Sequence, residues 1–187
     1  MAHSTGHITY VVVACHFASV AELCQTTIAR LERTLKLVVE GDKIIVTGDV
    51  PYELGGPTLG RLMSEWLVKH EVPLGSITIQ KGGVGTFSEA RIVSEMEEKG
   101  EDIVVISSPW YLFQAKPIWQ KRAQENGQNI RFISVENTGG SITWAMYIAI
   151  GLLVRVSILF GLETVLESRL TNSQWSRLNG FRLNGCR

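Results

Sequence analysis

Ile77-Thr78-Ile79-Gln80-Lys81-Gly82-Gly83-Val84-Gly85-Thr86-Phe87-Ser88-Glu89-Ala90-Arg91 reads as a short strand, a glycine-rich turn and the start of a helix. Gly82, Gly83 and Gly85 strip the turn of Cβ atoms, so its backbone can take positive φ and approach a ligand or a neighbouring strand closely. Thr86 and Glu89 have the spacing of a capping box, with the hydroxyl meeting the Glu89 amide while the carboxylate reaches back. A strand that ends in glycines and feeds a capped helix leaves amides, and the positive end of the helix dipole, at the carboxyl edge of a sheet. Open α/β sheets bind ligands at that edge. The same residues also fit a tight turn before a capped helix with no ligand, since short glycine-rich matches are common.

Upstream, residues 8–14 are a β-branched apolar run without alternation, which suits a strand covered on both faces. From Val20, the positions Val20, Cys24, Ile28, Leu31, Leu35 and Val38 recur at helical spacing, with Arg30, Glu32, Arg33 and Lys36 between them, until Gly41 ends the helix. Residues 43–47 form a second buried strand, broken by Gly48-Asp49-Val50-Pro51. Residues 57–70 carry Leu59, Leu62, Met63, Trp66 and Leu67 on one side of a helix that stops before Val72-Pro73.

Downstream, the helix from Thr86 runs through Ile92, Val93 and Met96 to Lys99-Gly100. Residues 102–107 form another apolar strand, and Ser107-Ser108-Pro109 supplies a cap and a proline at the first helical position. Pro117 is expected to kink or restart that helix, because its ring removes an amide donor. Residues 130–135 form a fifth strand. Five strands alternating with helices predict a three-layer, doubly wound α/β domain with a mainly parallel five-stranded, Rossmann-like sheet, all strand ends lying on one rim.

Residues 141–162 are nearly all apolar, with Arg155 in the middle. Their length is that of a membrane span, about 20 residues, but a central arginine costs about 2.5 to 3.5 kcal/mol on insertion. A final helix packed over the sheet predicts the same composition and is the preferred reading. One domain then covers residues 1–170, with an apolar helix over 141–168, and 171–187 form a flexible tail that repeats Arg-Leu-Asn-Gly.

The 187 residues, 45% of them hydrophobic, are enough for one buried core. Lys plus Arg equals Asp plus Glu at 18 each, so no global field favours nucleic acid. Cys15, Cys24 and Cys186 have no metal-site spacing, and their odd number is a poor disulfide framework. Met1 to His7 shows no secretory pattern, and His3 and His7 read as part of a solvated end. The expected location is cytoplasmic, with membrane association through 141–162 as the alternative.

Several segments resemble the YdcF, SanA and ElyC family of bacterial α/β domains, over residues 8–135. The resemblance rests on Arg30-Leu31-Glu32-Arg33-Thr34-Leu35, Lys43-Ile44-Ile45-Val46-Thr47-Gly48, Val72-Pro73-Leu74-Gly75-Ser76-Ile77, Gly85-Thr86-Phe87-Ser88-Glu89-Ala90 and Val105-Ile106-Ser107-Ser108-Pro109-Trp110-Tyr111. Thr86, Ala90, Arg30, Gly48 and Ser107 keep the family pattern. Asp49 stands where the family has a glycine, Gln80 where it favours glutamate, Gly83 for serine, Ser88-Glu89 for Glu-Asn, Tyr111 for histidine and Gln114 for arginine. The resemblance implies the same fold, and envelope-related roles for some relatives.

The rim is expected to carry Cys15 and His16 after the first strand, Gly48 and Asp49 after the second, Lys81 to Thr86 after the third, and Ser107, Ser108 and Tyr111 after the fourth. His16 can act as a general base near neutral pH, or serve as a structural histidine. Cys15 can be a nucleophile if its pKa is lowered, but a direct Cys15–His16 dyad does not fit an extended chain, whose adjacent side chains point to opposite faces. Asp49 suits a divalent cation, a ribose hydroxyl or an ordinary turn. Lys81 suits a phosphate beside the Gly82 to Thr86 amides, or plain solvation.

There is no Gly-Lys-Ser/Thr, no Gly-x-Gly-x-x-Gly after the first strand, no nucleophile elbow, no His-Glu-x-x-His and no paired-cysteine zinc pattern. These absences argue against an ATPase P-loop and an ordinary NAD site and leave the cofactor, if there is one, unspecified. The expected function is binding of a small anionic, nucleotide-like or phosphorylated ligand. Gly48, Lys81, Gly82, Gly83, Gly85, Thr86, Glu89, Ser107 and Ser108 would hold it, and His16, Asp49 and Tyr111 are the catalytic candidates for hydrolysis or group transfer. The alternative is a non-catalytic interaction or membrane-associated protein with a degenerate site.

Overall fold

Ile8–Val12 (β1) lies at the centre of the sheet, and the side chains of Val11 and Val12 are wholly enclosed, as a strand covered on both faces requires. The computed structural model describes residues 7–15, 17–19, 21–49, 51, 56–83, 85–136, 144–162, 164–165 and 168–169. After β1 the chain forms a small antiparallel pair, Phe17–Ser19 (β2) and Glu22–Leu23 (β3), then the helix Gln25–Leu35 (α1) and the strand Lys43–Val46 (β4). Leu59–Lys69 (α2), Ile77–Ile79 (β5), Thr86–Met96 (α3) and Asp102–Ser107 (β6) follow. Pro109–Glu125 (α4), Asn129–Ser134 (β7) and Trp144–Leu159 (α5) complete the described elements.

The large sheet has the order β5-β4-β1-β6-β7, and every neighbouring pair is parallel. In chain order this is 3-2-1-4-5, the doubly wound arrangement that the alternation of strands and helices predicts. Leu31 of α1 and Met63 and Leu67 of α2 pack with Val12, Ile44 and Val46 on one face. Phe87, Ala90 and Val93 of α3, Ala115, Ile118 and Trp119 of α4, and Val154 of α5 pack with Val11, Ile45, Ile103 and Val105 on the other. The result is three layers.

Four local expectations are corrected. The first helix begins at Gln25, because Phe17–Ser19 and Glu22–Leu23 pair as β2 and β3 before it; Val20, its expected start, lies outside the described residues. It ends at Leu35, well before Gly41, where the Val38 amide closes on the Thr34 carbonyl and the Tyr10 hydroxyl bonds the Leu37 carbonyl. Its buried face is Thr26, Thr27, Arg30, Leu31 and Thr34, so Arg30 is on the inner side and not among solvated charges. The third helix ends at Met96, short of Lys99-Gly100, as the chain turns extended at Glu97.

Pro117 neither restarts nor ends α4, which is continuous from Pro109 to Glu125. A proline has no N–H for the carbonyl four residues back, here Phe113. Arg155 of α5 fills that position: its Nη2 donates to the Phe113 carbonyl at 3.1 Å, while Nη1 donates to the Gly151 carbonyl at 2.9 Å. The guanidinium also lies 4.5 Å from the centroid of the Phe113 ring. A Cβ at Gly151 would stand 2.8 Å from that ring, so only glycine lets the two helices approach this closely. The lone charge of the apolar segment is thus a helix-to-helix clamp.

Among the described residues no helix is long and apolar enough to cross a membrane. The tail 171–187 and the stretch 137–143 lie outside the described residues.

The clamp gives a double-mutant test. Arg155→Met is expected to lower stability by about 1–2 kcal/mol in the native chain, as loss of a charged hydrogen-bond donor does. In a Pro117→Ala background, where residue 117 has its own amide for Phe113, the loss should shrink by at least about 0.5 kcal/mol. Urea unfolding of the four proteins measures the coupling, and strict additivity would rule the clamp out.

Candidate functional site

All five parallel strands end at one rim, and their order reverses between β1 and β6, the point where such sheets open a crevice beyond the strand ends. Arg30 crosses this point from α1. It is 3% exposed, and it donates through Nη1 to the carbonyl of Val13 and through Nη2 to Ser108 Oγ. One planar guanidinium thereby joins the ends of β1 and β6. Ser108 is the N-cap of α4, yet its hydroxyl accepts from Arg30 and caps no amide of its own helix.

Thr47 follows β4 and is fully buried. Its Oγ1 accepts from the Ala14 amide at 3.1 Å, and the hydroxyl lies near enough to the Glu89 carboxylate to favour its charged form. Tyr111, on the first turn of α4, donates from Oη to Glu89 Oε2 over 3.4 Å, and Thr86 lies beside the same phenol. Burial raises the Glu89 carboxyl to a pKa of about 7, while the Thr47 and Tyr111 hydroxyls and the charge of Arg30 pull the other way without prevailing. Burial, and then the Glu89 carboxylate, push the Tyr111 phenol well above its usual range. Glu89 as a residue keeps some accessible surface and is only partly enclosed by protein. A carboxyl of this pKa can give or take a proton at neutral pH.

The glycine turn is built differently from the expectation. Gly85, not Thr86, is the N-cap of α3; it supplies no side-chain acceptor, and the Glu89 amide donates to the Gly85 carbonyl at 3.0 Å. The capping box is absent because the helix starts one residue early, which places the Glu89 side chain with Thr47 and Tyr111 and not back over the cap. The Gly82 amide is already bonded to Asp49 Oδ2 at 2.8 Å, and its carbonyl accepts from Gln80 Nε2 at 2.8 Å. Gly83 has φ +84°, and a Cβ there would lie 2.9 Å from Gln80 Nε2 and 3.0 Å from Ile92 Cδ1. Gly48, at φ +95°, has no room either, with Ala14 Cβ 2.8 Å and Leu59 Cβ 2.9 Å from the Cβ position. These glycines are demanded by the turn's own packing.

The structure therefore assembles Glu89, Tyr111, Thr86 and Ser108 of the expected residues into one cluster. Asp49, Gly82 and Gly83 form a separate clasp between the ends of β4 and β5. Lys81 is exposed beside that clasp, and Ser107 Oγ is buried at the end of β6 without a hydrogen-bond partner. His16 lies outside the described residues. Arg30 and Thr47 are the members that sequence reasoning missed. The signal for Arg30 was its place beside Leu31 and one turn from Thr27 and Thr34, a face of short side chains with space for a long one. Among the described residues no group of three side chains is placed to hold a metal ion.

The cluster sets a carboxyl of raised pKa and a buried arginine at the switch point of a parallel sheet. Comparison of the chain with family models, with curated proteins and with solved structures finds no match in any of the three.

Proposed function

We propose that the protein binds a small anionic ligand, nucleotide-like or phosphorylated, at the carboxyl rim near the β1–β6 switch point, in the manner of a YdcF-like domain. Glu89 is the general acid or base of a hydrolysis or group transfer, and Tyr111 is its hydrogen-bonded partner. The observation that carries this reading is the convergence of Glu89 from α3, Tyr111 and Ser108 from the start of α4, Thr47 from the end of β4 and Arg30 from α1 on one rim. Two helix N-termini lacking side-chain caps, those of α3 and α4, face the same rim and supply positive dipole ends for an anion. Arg30 acts from behind the floor, as a source of positive field and as the positioner of Ser108. The Gly82 amide is occupied by Asp49, which leaves the amides at the start of α3 for the anion, with Lys81 at the edge.

The test is thermal shift with a panel of inorganic phosphate, nucleoside mono-, di- and triphosphates and sugar phosphates. A ligand at about 100 times its dissociation constant should add roughly 2.7 kcal/mol of stability. Tyr111→Phe and Lys81→Ala should reduce that gain. Gly83→Asp is unsuitable as a probe, since strain and a clash with Gln80 would disturb the turn by themselves. A panel without a single shift, or a shift indifferent to both substitutions, would overturn the reading.

A further inference from the structure

On the reading of the rim as an anion site, which this deepens, we propose that the ligand enters together with one proton from solvent: neutral Glu89 donates a hydrogen bond to it, and ionised Glu89 turns it away. Glu89 is the acidic residue of the first turn of α3, and Tyr111 lies on the first turn of α4. The 3.4 Å contact from Tyr111 Oη to Glu89 Oε2 therefore joins the two helix starts. Neither start has a side-chain cap, so an anion drawn to either one lies within about one helical turn, roughly 5.4 Å, of the carboxyl. At such a separation two like charges disfavour each other.

A buried hydroxyl marks the same place. Ser107 ends β6 immediately before the cap of α4, is fully enclosed, and has no hydrogen-bond partner for its Oγ. Ile103 and Val105 pack with α3 and α4, and side chains alternate along a strand, so Ser107 faces those helices as well. A ligand oxygen supplies the partner that this hydroxyl lacks within the protein.

The groups facing the Glu89 carboxyl are Arg30 of α1, Tyr111 of α4 and Thr47 after β4. Cys15 after β1, Asp49 after β4 and Lys81 after β5 are further titratable groups described at the rim. Burial outweighs Arg30 and the two hydroxyls and sets the carboxyl at about 7, and an arriving anion pushes it higher. With Oε2 accepting from Tyr111, the proton of the neutral form belongs on Oε1, where it can donate to a ligand oxygen. Binding then follows the protonated fraction, and affinity falls as the pH rises through about 7.

Sulfate is the probe, because it does not titrate in this range, and calorimetry at constant ionic strength follows its binding. In the wild type its Kd should rise about tenfold between pH 6 and pH 8 and about tenfold again by pH 9. At pH 8, repeats in buffers of different ionisation enthalpy should count about one proton taken up per sulfate bound. Glu89→Gln, whose amide donates in place of the acid, should bind at every pH about as the wild type does at pH 6. Lys81→Ala should weaken binding and keep the pH dependence. Sulfate bound equally well by the wild type at pH 6 and pH 9 would overturn the proton coupling while leaving the rim an anion site. A pH dependence that persists in Glu89→Gln would overturn the assignment to Glu89. Absence of saturable sulfate binding by either protein would overturn the coupling and the anion reading together.

Discussion

Arg30→Met is expected to lower folding stability by about 2–4 kcal/mol, the cost of losing two charge-assisted hydrogen bonds and leaving buried acceptors behind. The acceptors are the Val13 carbonyl at the end of β1 and Ser108 Oγ at the start of α4, and neither is placed to recruit solvent at a position that is 3% exposed. Arg30→Lys keeps the charge but not the fork, so it should recover only part of the loss. Arg30→Met also removes the positive charge that restrains Glu89, and the carboxyl should then titrate above about 7. Urea unfolding measures the first effect, and carboxyl titration by carbon NMR the second. An Arg30→Met protein as stable as the wild type would show that the guanidinium does not bridge the two strands.

Glu89→Gln is expected to make the protein more stable at pH 8, by about 1–2 kcal/mol after allowance for solvent reaching the group. The sign follows from the direction of the shift. The folded carboxyl holds its proton up to about pH 7, whereas the unfolded one releases it near its ordinary value of 4.5. Stability from this group is therefore full below about pH 4.5, is lost as the pH rises through about 7, and is constant above that. The glutamine variant lacks that loss, so the two proteins should converge in acid and diverge above neutrality. Unfolding curves at several pH values decide it; parallel pH profiles would mean that Glu89 titrates normally.

The sheet was legible because its strands announce themselves twice, by β-branched apolar runs and by the breakers that follow. Asp102–Ser107 and the Ser108–Pro109 helix start are found where the sequence puts them, since a buried strand followed by cap and proline admits few other conformations. The rim cluster was legible in part. Glu89, Thr86, Ser108 and Tyr111 follow strands or open helices, so fold alone delivers them to one edge. Arg30 did not show, because an arginine among polar neighbours on a helix looks solvated until the partner strands are known. The capping box misled for a local reason: Gly85, with φ +107°, can take the N-cap position that Thr86 was expected to hold, and a one-residue shift redirects a carboxylate. The pairing of Asp49 with Gly82 spans 33 residues, and no short-range pattern encodes it.

The clamp at Pro117 has a bearing on the order in which the chain matures. Helix α4 lacks one bond of its own ladder, and the donor that replaces it arrives 42 residues later in the chain. During synthesis, a nascent chain that has emerged only as far as the last strand carries a notch at Phe113, open to water and to stray donors. Secondary and tertiary structure are completed there in a single event, when the arginine seats.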